Sequence, residues 1–149
     1  PVLQVQSGFM LGIPADKRLT YGFHQEANYS RGYGDLVTVH FPLFYKANVR
    51  NGTMSALNKT HKLGELKFNK KRFSNNSYTT LLPENINKIS KKYEEVFFEL
   101  ELGDVLYFHK NLIHKSNFNL SNKCRACGVI RLTQNFKYGT FIKLRPSEL

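Results

Sequence analysis

The sequence predicts a mainly β domain, a β-sandwich or jelly roll carrying one short inserted helix. Three observations carry that expectation: apolar and polar residues alternate over short runs, turn residues separate the runs, and only one segment has helical spacing. Residues 2–10 and 19–23 read as strands flanking the turn Gly12-Ile13-Pro14-Ala15-Asp16. Residues 36–43 alternate, with Val37, Val39 and Phe41 on one face and Thr38 and His40 on the other, the period-2 pattern of a half-buried strand. Asn51-Gly52 is a strong turn dipeptide, and residues 53–57 follow it as a strand. Residues 67–78 are polar, basic and rich in Asn, the pattern of an exposed loop. Residues 83–95 set Ile86, Ile89 and Tyr93 at helical spacing and form the one predicted helix. Residues 96–102 alternate again, Gly103-Asp104 turns the chain, residues 105–109 make another strand, and residues 126–136 the core of the last long one.

A chain of 149 residues with 41% hydrophobic and 13% aromatic residues supports one core, so a single domain over residues 1–149 is expected. Pro1 leads directly into a strand pattern, which suggests that the N-terminal part of a longer chain is missing. No run approaches the roughly 18 apolar residues of a membrane span, and the start lacks the order of a secretory signal. Cys124 and Cys127 have no second pair to complete a zinc site, and three positions apart on a strand they face opposite sides. Two unpaired thiols fit a reducing compartment, and a cytoplasmic location is expected. The net charge of +11 points to an anionic partner or to compositional drift, and the scattered Lys residues favour drift.

The chemistry begins at His24-Gln25-Glu26. Two ligands at i and i+2 project to the same side of an extended chain, so an imidazole and a carboxylate can grip one face of a divalent metal. The strand after Gly103-Asp104 leads to a third donor, His114. Two His and one carboxylate on a single face make the facial triad of non-haem Fe(II) oxygenases, with coordination positions open for co-substrate and O2. Ser116 and Arg125 follow. A chelating 2-oxo acid needs a cation and a hydroxyl for its distal carboxylate, and Arg supplies a bidentate fork. Arg125 stands between two cysteines and ahead of Gly128-Val129-Ile130, a setting in which Arg wants an anion.

Beyond these residues, the sequence resembles the phytanoyl-CoA dioxygenase-like family from about Leu19 to Phe136. The resemblance runs through His24-Gln25-Glu26, residues 37–43, Asn51-Gly52-Thr53 and residues 59–64. It continues through residues 102–109 and the stretch from His114 through Ser116, Asn119 and Ser121 to Arg125. It implies a double-stranded β-helix, Fe(II) held by His24, Glu26 and His114, and 2-oxoglutarate held through its tail by Arg125 and Ser116. It further implies hydroxylation of a small organic substrate with O2, releasing succinate and CO2. Glu26 stands where the family usually has Asp; both are hard monodentate carboxylates, so Glu26 remains the ligand. A carboxylate there also argues against halogenation, which needs a small residue that leaves room for halide. His40 stands where an aromatic is common, so His40, Asn28 and Tyr29 are candidates for the substrate pocket, whereas His61 reads as structural.

Three alternatives compete. A non-catalytic jelly-roll binding domain would bind neither iron nor 2-oxoglutarate. A nucleic-acid dealkylase on the same scaffold would draw on the charge and on Arg125 with Arg131, but the basic residues form no stripe with interleaved aromatics. A zinc hydrolase would have no need for an anion clamp at Ser116 and Arg125. The substrate's identity does not follow from the fold; the basic surface leans towards an anionic one.

Overall fold

The computed structural model describes residues 3–30, 34–72 and 79–133. Two antiparallel sheets face each other as a jelly roll. The larger holds β1 (Leu3–Gly12), β2 (Leu36–Pro42), β7 (Leu106–His109) and β9 (Arg125–Thr133) in the order β1-β9-β2-β7. The smaller has β3 (Ser55–Leu57) between β6 (Glu95–Phe97) and β8 (His114–Lys115). A hairpin of β4 (Phe68–Arg72) and β5 (Thr79–Pro83) stands apart, and two short α-helices, α1 (Glu26–Tyr29) and α2 (Ile86–Lys92), and a 3-10 turn at Thr60–Leu63 complete the described elements.

The register decides what faces inward. Thr38 pairs with Arg131 on β9 and Phe108 on β7, while His40 pairs with Val129 and Leu106. Gly12, Met10, Gly8 and Gln6 of β1 stand opposite Arg125, Cys127, Val129 and Arg131. All these residues therefore share the inner face of the larger sheet. The interior is thus walled with polar groups: Thr38, His40 and Arg125 are buried there, while Val37 on the opposite face is 39% exposed. Strand β2 is where alternation predicts it, but its polar side is the buried one.

The apolar core lies elsewhere. On the smaller sheet Ala56 stands opposite His114, so Leu57 faces away from the roll. Leu57 and Ile113 pack with Ile86 of α2, and Phe23, Leu66, Leu82, Ile89 and Tyr93 close around them. The minor sheet thus has an oily outer side and a polar inner one.

Four sequence expectations change. Residues 67–78, expected as a loop, contribute β4, which pairs with β5 through Phe68↔Pro83 and Lys70↔Leu81; residues 73–78 lie outside the described residues. The helix expected over 83–95 shrinks to α2, because Pro83 ends β5, Asn85 takes a left-handed backbone (φ 58°) and Tyr93 is extended. Residues 19–23 form no strand; the chain runs through bends to a single bridge at His24. The strand expected over 96–102 is β6, with Leu100 making only an isolated bridge to Ala47.

The Asn51-Gly52 turn holds the loop that leads from β8 to β9. Gly52 has φ +78°, and a Cβ there would sit 2.5 Å from the Asn117 carbonyl oxygen. Asn117 Nδ2 in turn donates to Thr53 O and Ser55 Oγ (2.7 and 2.9 Å). Gly52→Ala should destabilise the fold by more than the roughly 1–2 kcal/mol of a left-handed non-Gly residue, because the clash adds to it. Thermal denaturation checks this; an unchanged Tm would mean that the loop yields freely.

Candidate metal and co-substrate site

His24 and His114 come together through the backbone. They form an antiparallel bridge in which His24 N donates to His114 O (2.9 Å) and His114 N to His24 O (3.1 Å). Side chains of such a pair lie on one face, and the two imidazole centroids are 4.3 Å apart. His24 Nδ1 lies 2.7 Å from Gly22 O and His114 Nδ1 2.9 Å from Leu112 O. Each Nδ1–H donates to a carbonyl, so each Nε2 is the ring nitrogen left to face inward. Burial, then the neighbouring His114, lowers the pKa of His24 to about 3, which keeps that ring neutral.

Glu26 opens α1 directly after the bridge and completes the set. Its Oε1 is 3.9 Å from His24 Nε2 and 3.5 Å from His114 Nε2, and the three donor atoms lie within 4.8 Å of one another. Two ligands at right angles on bonds of about 2.1 Å would be about 3 Å apart, so the two separations from Glu26 Oε1 come within an ångström of coordination. Two imidazole nitrogens and a carboxylate oxygen converging on one point are donors that a divalent cation takes. The donor set fits such an ion.

Gln25 lies between two of the donors and has a role that His24-Gln25-Glu26 as a motif does not reveal. It is fully buried, and its side chain donates to Gly64 O (2.9 Å) and Asn111 O (2.7 Å) while accepting from Leu66 N (2.9 Å). Three backbone groups are satisfied by one side chain, and the ligand-bearing loop is pinned between two others.

Arg131 is the second addition. Its Nε donates to Glu26 Oε2 (2.6 Å) and its Nη2 to Oε1 (3.0 Å), a bidentate fork. Burial pushes the Glu26 carboxyl up, but the contacts with His114 and Arg131 outweigh it and hold the group ionised well below the usual range. A signal for Arg131 was present: six residues from Arg125 on one strand, it must share the same face. Both arginines point into the roll, which removes their support for a nucleic-acid surface.

The site opens on a cavity of about 240 Å³. Beyond the three donors its lining includes Tyr29, His40, Ser116, Arg125 and Arg131. Arg125 is 4% exposed and reaches only Asn51 O and Cys127 Sγ, both at 3.3 Å; among the described residues no carboxylate pairs with it. A buried guanidinium without an anion is costly, so this end of the cavity fits a carboxylate. Gly12 lets Arg125 lie flat, since a Cβ there would be 3.0 Å from Nη2. Asn119, fully buried, ties the preceding loop to β1 by donating to Gly12 O (2.6 Å) and Lys123 O (2.8 Å).

The remaining candidates divide. Tyr29 stacks edge-on against His24 (5.5 Å between centroids), and its hydroxyl accepts from Leu81 N (2.8 Å), joining the hairpin to the site. His40 lines the cavity, but Asn28 does not; it is buried, and its amide has no hydrogen-bond partner among the described residues. His61 is exposed, with its ring 6.4 Å from that of His109.

Fold and site together define a jelly roll with a buried His/Glu/His metal-binding group. The family model described as Phytanoyl-CoA dioxygenase (PhyH) matches residues 3–127, and the chain belongs to that family, whose members use Fe(II) and 2-oxoglutarate. No curated protein matches the chain in sequence at a significant level. Similar solved structures include EvdO2 from Micromonospora carbonacea var. aurantiaca, at 15% identity and a TM-score of 0.70 over 97% of this chain and 56% of that one. AviO1 from Streptomyces viridochromogenes Tue57 is 19% identical with a TM-score of 0.66, covering 93% of this chain and 54% of that one. The epimerase SnoN, crystallised with Fe3+, alpha ketoglutarate and nogalamycin RO, is 15% identical with a TM-score of 0.68, covering 89% and 50%. The chain thus spans about half the length of these structures. Among the described residues, no helix is long and apolar enough to cross a membrane.

Two variants test the supports. Gln25→Leu leaves three backbone groups unsatisfied at about 1–3 kcal/mol each, and both Tm and metal affinity should fall; wild-type affinity would show that the loop holds without the clamp. Arg131→Leu leaves Glu26 buried and unpaired, a loss of about 3–5 kcal/mol by analogy with broken buried pairs. Mn(II) should then raise the Tm of that variant more than that of the wild type in scanning fluorimetry. An equal rise in both would mean that Arg131 and the metal do not share Glu26.

Proposed function

We propose that this chain is the core of an Fe(II)- and 2-oxoglutarate-dependent dioxygenase that hydroxylates a small organic substrate. The observation that carries the reading is the placement of three convergent donors, His24, Glu26 and His114, on the same cavity as Ser116 and a buried Arg125 that meets no carboxylate among the described residues. In this reading the two Nε2 atoms and Oε1 of Glu26 hold iron. Arg125 and Ser116 bind the distal carboxylate of 2-oxoglutarate, setting its keto-acid end towards the three donors. Iron with 2-oxoglutarate supplies O2 activation, with succinate and CO2 as products and a hydrogen removed from the substrate.

The chain's own residues supply geometry and dryness. The hydrogen bonds from Nδ1 to Gly22 O and Leu112 O fix both imidazoles against rotation. The fork from Arg131 holds Oε2 away from the imidazoles and leaves Oε1 as the atom facing them. The rings of Tyr21, Tyr29 and Phe108 pack on the two histidines and exclude water from that side. Tyr29 and His40 are cavity-facing residues available to the substrate, and the net charge of +11 favours an anionic one. A related outcome, epimerisation, starts from the same hydrogen removal; the epimerase SnoN shares the fold.

Anaerobic titration with Fe(II) and then 2-oxoglutarate tests the reading through the weak visible charge-transfer band of the chelate. The band should saturate in the wild type, vanish in His114→Ala with the loss of iron, and demand far higher 2-oxoglutarate in Arg125→Ala. A folded wild-type protein with no band would identify a binding domain instead.

A further inference from the structure

Strand β1 is the outermost strand of the larger sheet and pairs on one side only, with β9. Its other edge meets no strand among the described residues. Such an edge presents a row of unpaired N–H and C=O groups, a template for another strand, and proteins blunt it with charge, proline or shortness. The other strands at sheet edges are blunted in those ways. Strand β4 carries Lys70, Lys71 and Arg72, β5 ends at Pro83, and β6, β7 and β8 have 3, 4 and 2 residues. Strand β1 has 10 residues, with neither a charge nor a proline among them. Its register shifts once, between Gln4 and Gln6, and from Gln6 to Gly12 the pairing is regular.

The faces beside that edge agree. Outward, Ser7, Phe9 and Leu11 lie beside Ile130, Gly128 and Ala126 of β9, and Phe9 and Leu11 are 74% and 41% exposed. No charged residue falls on the outward positions of β1, β9 or β2, in a chain that is 22% charged. An antiparallel sheet face left to water is normally polar. Inward, a Cβ on Gly8 would meet nothing within 4 Å, so space is open along this strand as well.

We infer that β1 is the dimer strand of this protein, pairing antiparallel with β1 of a second copy across a two-fold axis. The occupant of the edge must itself be a strand with a free edge and no charge, and among the described residues β1 is the strand that meets that description. A two-fold pairing lets the same patch serve both copies. Charge favours the same contact. Two chains of net charge +11 repel, and along β1 they meet without setting one cation opposite another, as β4 would. Centred on Phe9, the pairing aligns the regular segment with itself and sets Phe9 of each copy opposite Phe9 of the other. Aromatic pairs across antiparallel strands are favourable. The uncharged outer faces of the two sheets then become continuous. Gln6, Gly8 and Met10 line the cavity from the same strand, so the second copy lies along the cavity's rim.

Sedimentation analysis of the full chain across the micromolar range tests this, with Phe9→Lys and Phe9→Glu as variants. Phe9 is exposed, so both variants should keep the wild-type circular dichroism spectrum. The wild type should sediment at twice the chain mass. In each variant alone the dimer should dissociate about tenfold more readily, because an aromatic pair gives way to like charges. An equimolar mixture of the two variants should recover most of the loss. A wild type that stays monomeric overturns the inference and leaves the edge to another segment or another protein. A dimer that neither substitution weakens overturns it too, since it would form on another surface. Open-ended assembly also overturns it, because a two-fold pairing closes at two copies.

Discussion

The site depends on two backbone hydrogen bonds between His24 and His114. They are residues of different segments, one from a loop with no regular structure before it and one from a two-residue strand of the smaller sheet. The bridge makes them cross-strand neighbours, and the geometry of an antiparallel pair then sets both rings on one face. Everything else around the donors maintains that pair. Gln25 anchors the loop from behind, Thr60 Oγ1 receives Ile113 N (3.0 Å) just ahead of His114, and Ser116 N donates to Tyr21 O (3.0 Å) just after it. A donor group carried on loops alone would be less rigid; this one is tied to a sheet through His114.

The second constraint is electrostatic. A roll this small carries an ionised carboxylate, two arginines and three imidazoles on or near its inner wall. Charges out of water need partners, and they have been distributed so that each has a use. Glu26 is paired by Arg131 from behind and faces the imidazoles of His24 and His114 in front. Arg125 is left with a carbonyl and a thiol, weak company for a buried cation. One end of the cavity is thus electrostatically complete apart from a divalent cation, and the other lacks an anion. The stability of the apolar part is kept apart from this demand, since Leu57, Ile86 and Ile113 cluster on the far side of the smaller sheet.

What the sequence made legible follows from local rules. The strands of the larger sheet show as alternation, and His24 with Glu26 shows because i and i+2 share a side. Long-range partners were not legible. Gln25 reaches atoms 39, 41 and 86 residues away, and Arg131 reaches across 105. Their types, an amide and a guanidinium, do not announce such partners. Strand β4 was missed for a related reason: Asn69, Lys70 and Lys71 are exposed, and the segment is a strand because β5 pairs with it. The inverted face of β2 shows the limit of the alternation rule. It assumes an oily interior, and here the inner face lines a polar cavity, so the polar side of β2 turns inward.

In the proposed reading, the Glu26–Arg131 pair accounts for a ligand one methylene longer than the Asp that the resemblance leads one to expect. A longer arm has one more rotatable bond and so holds a carboxylate less firmly; left alone, it would be a poorer ligand. Arg131 removes that freedom. Its guanidinium plane is a rigid fork, and two hydrogen bonds to the two oxygens fix the carboxylate's position and its plane together. The fork also engages Oε2 at the shorter distance, 2.6 Å against 3.0 Å for Oε1, so the oxygen left facing the imidazoles is the less committed of the two. That asymmetry suits a single-oxygen ligand, and a monodentate carboxylate is what keeps open the positions that a chelating co-substrate and O2 both require. Seen this way Glu26 and Arg131 form one unit, and the substitution at the first position is tolerable because of the residue at the second.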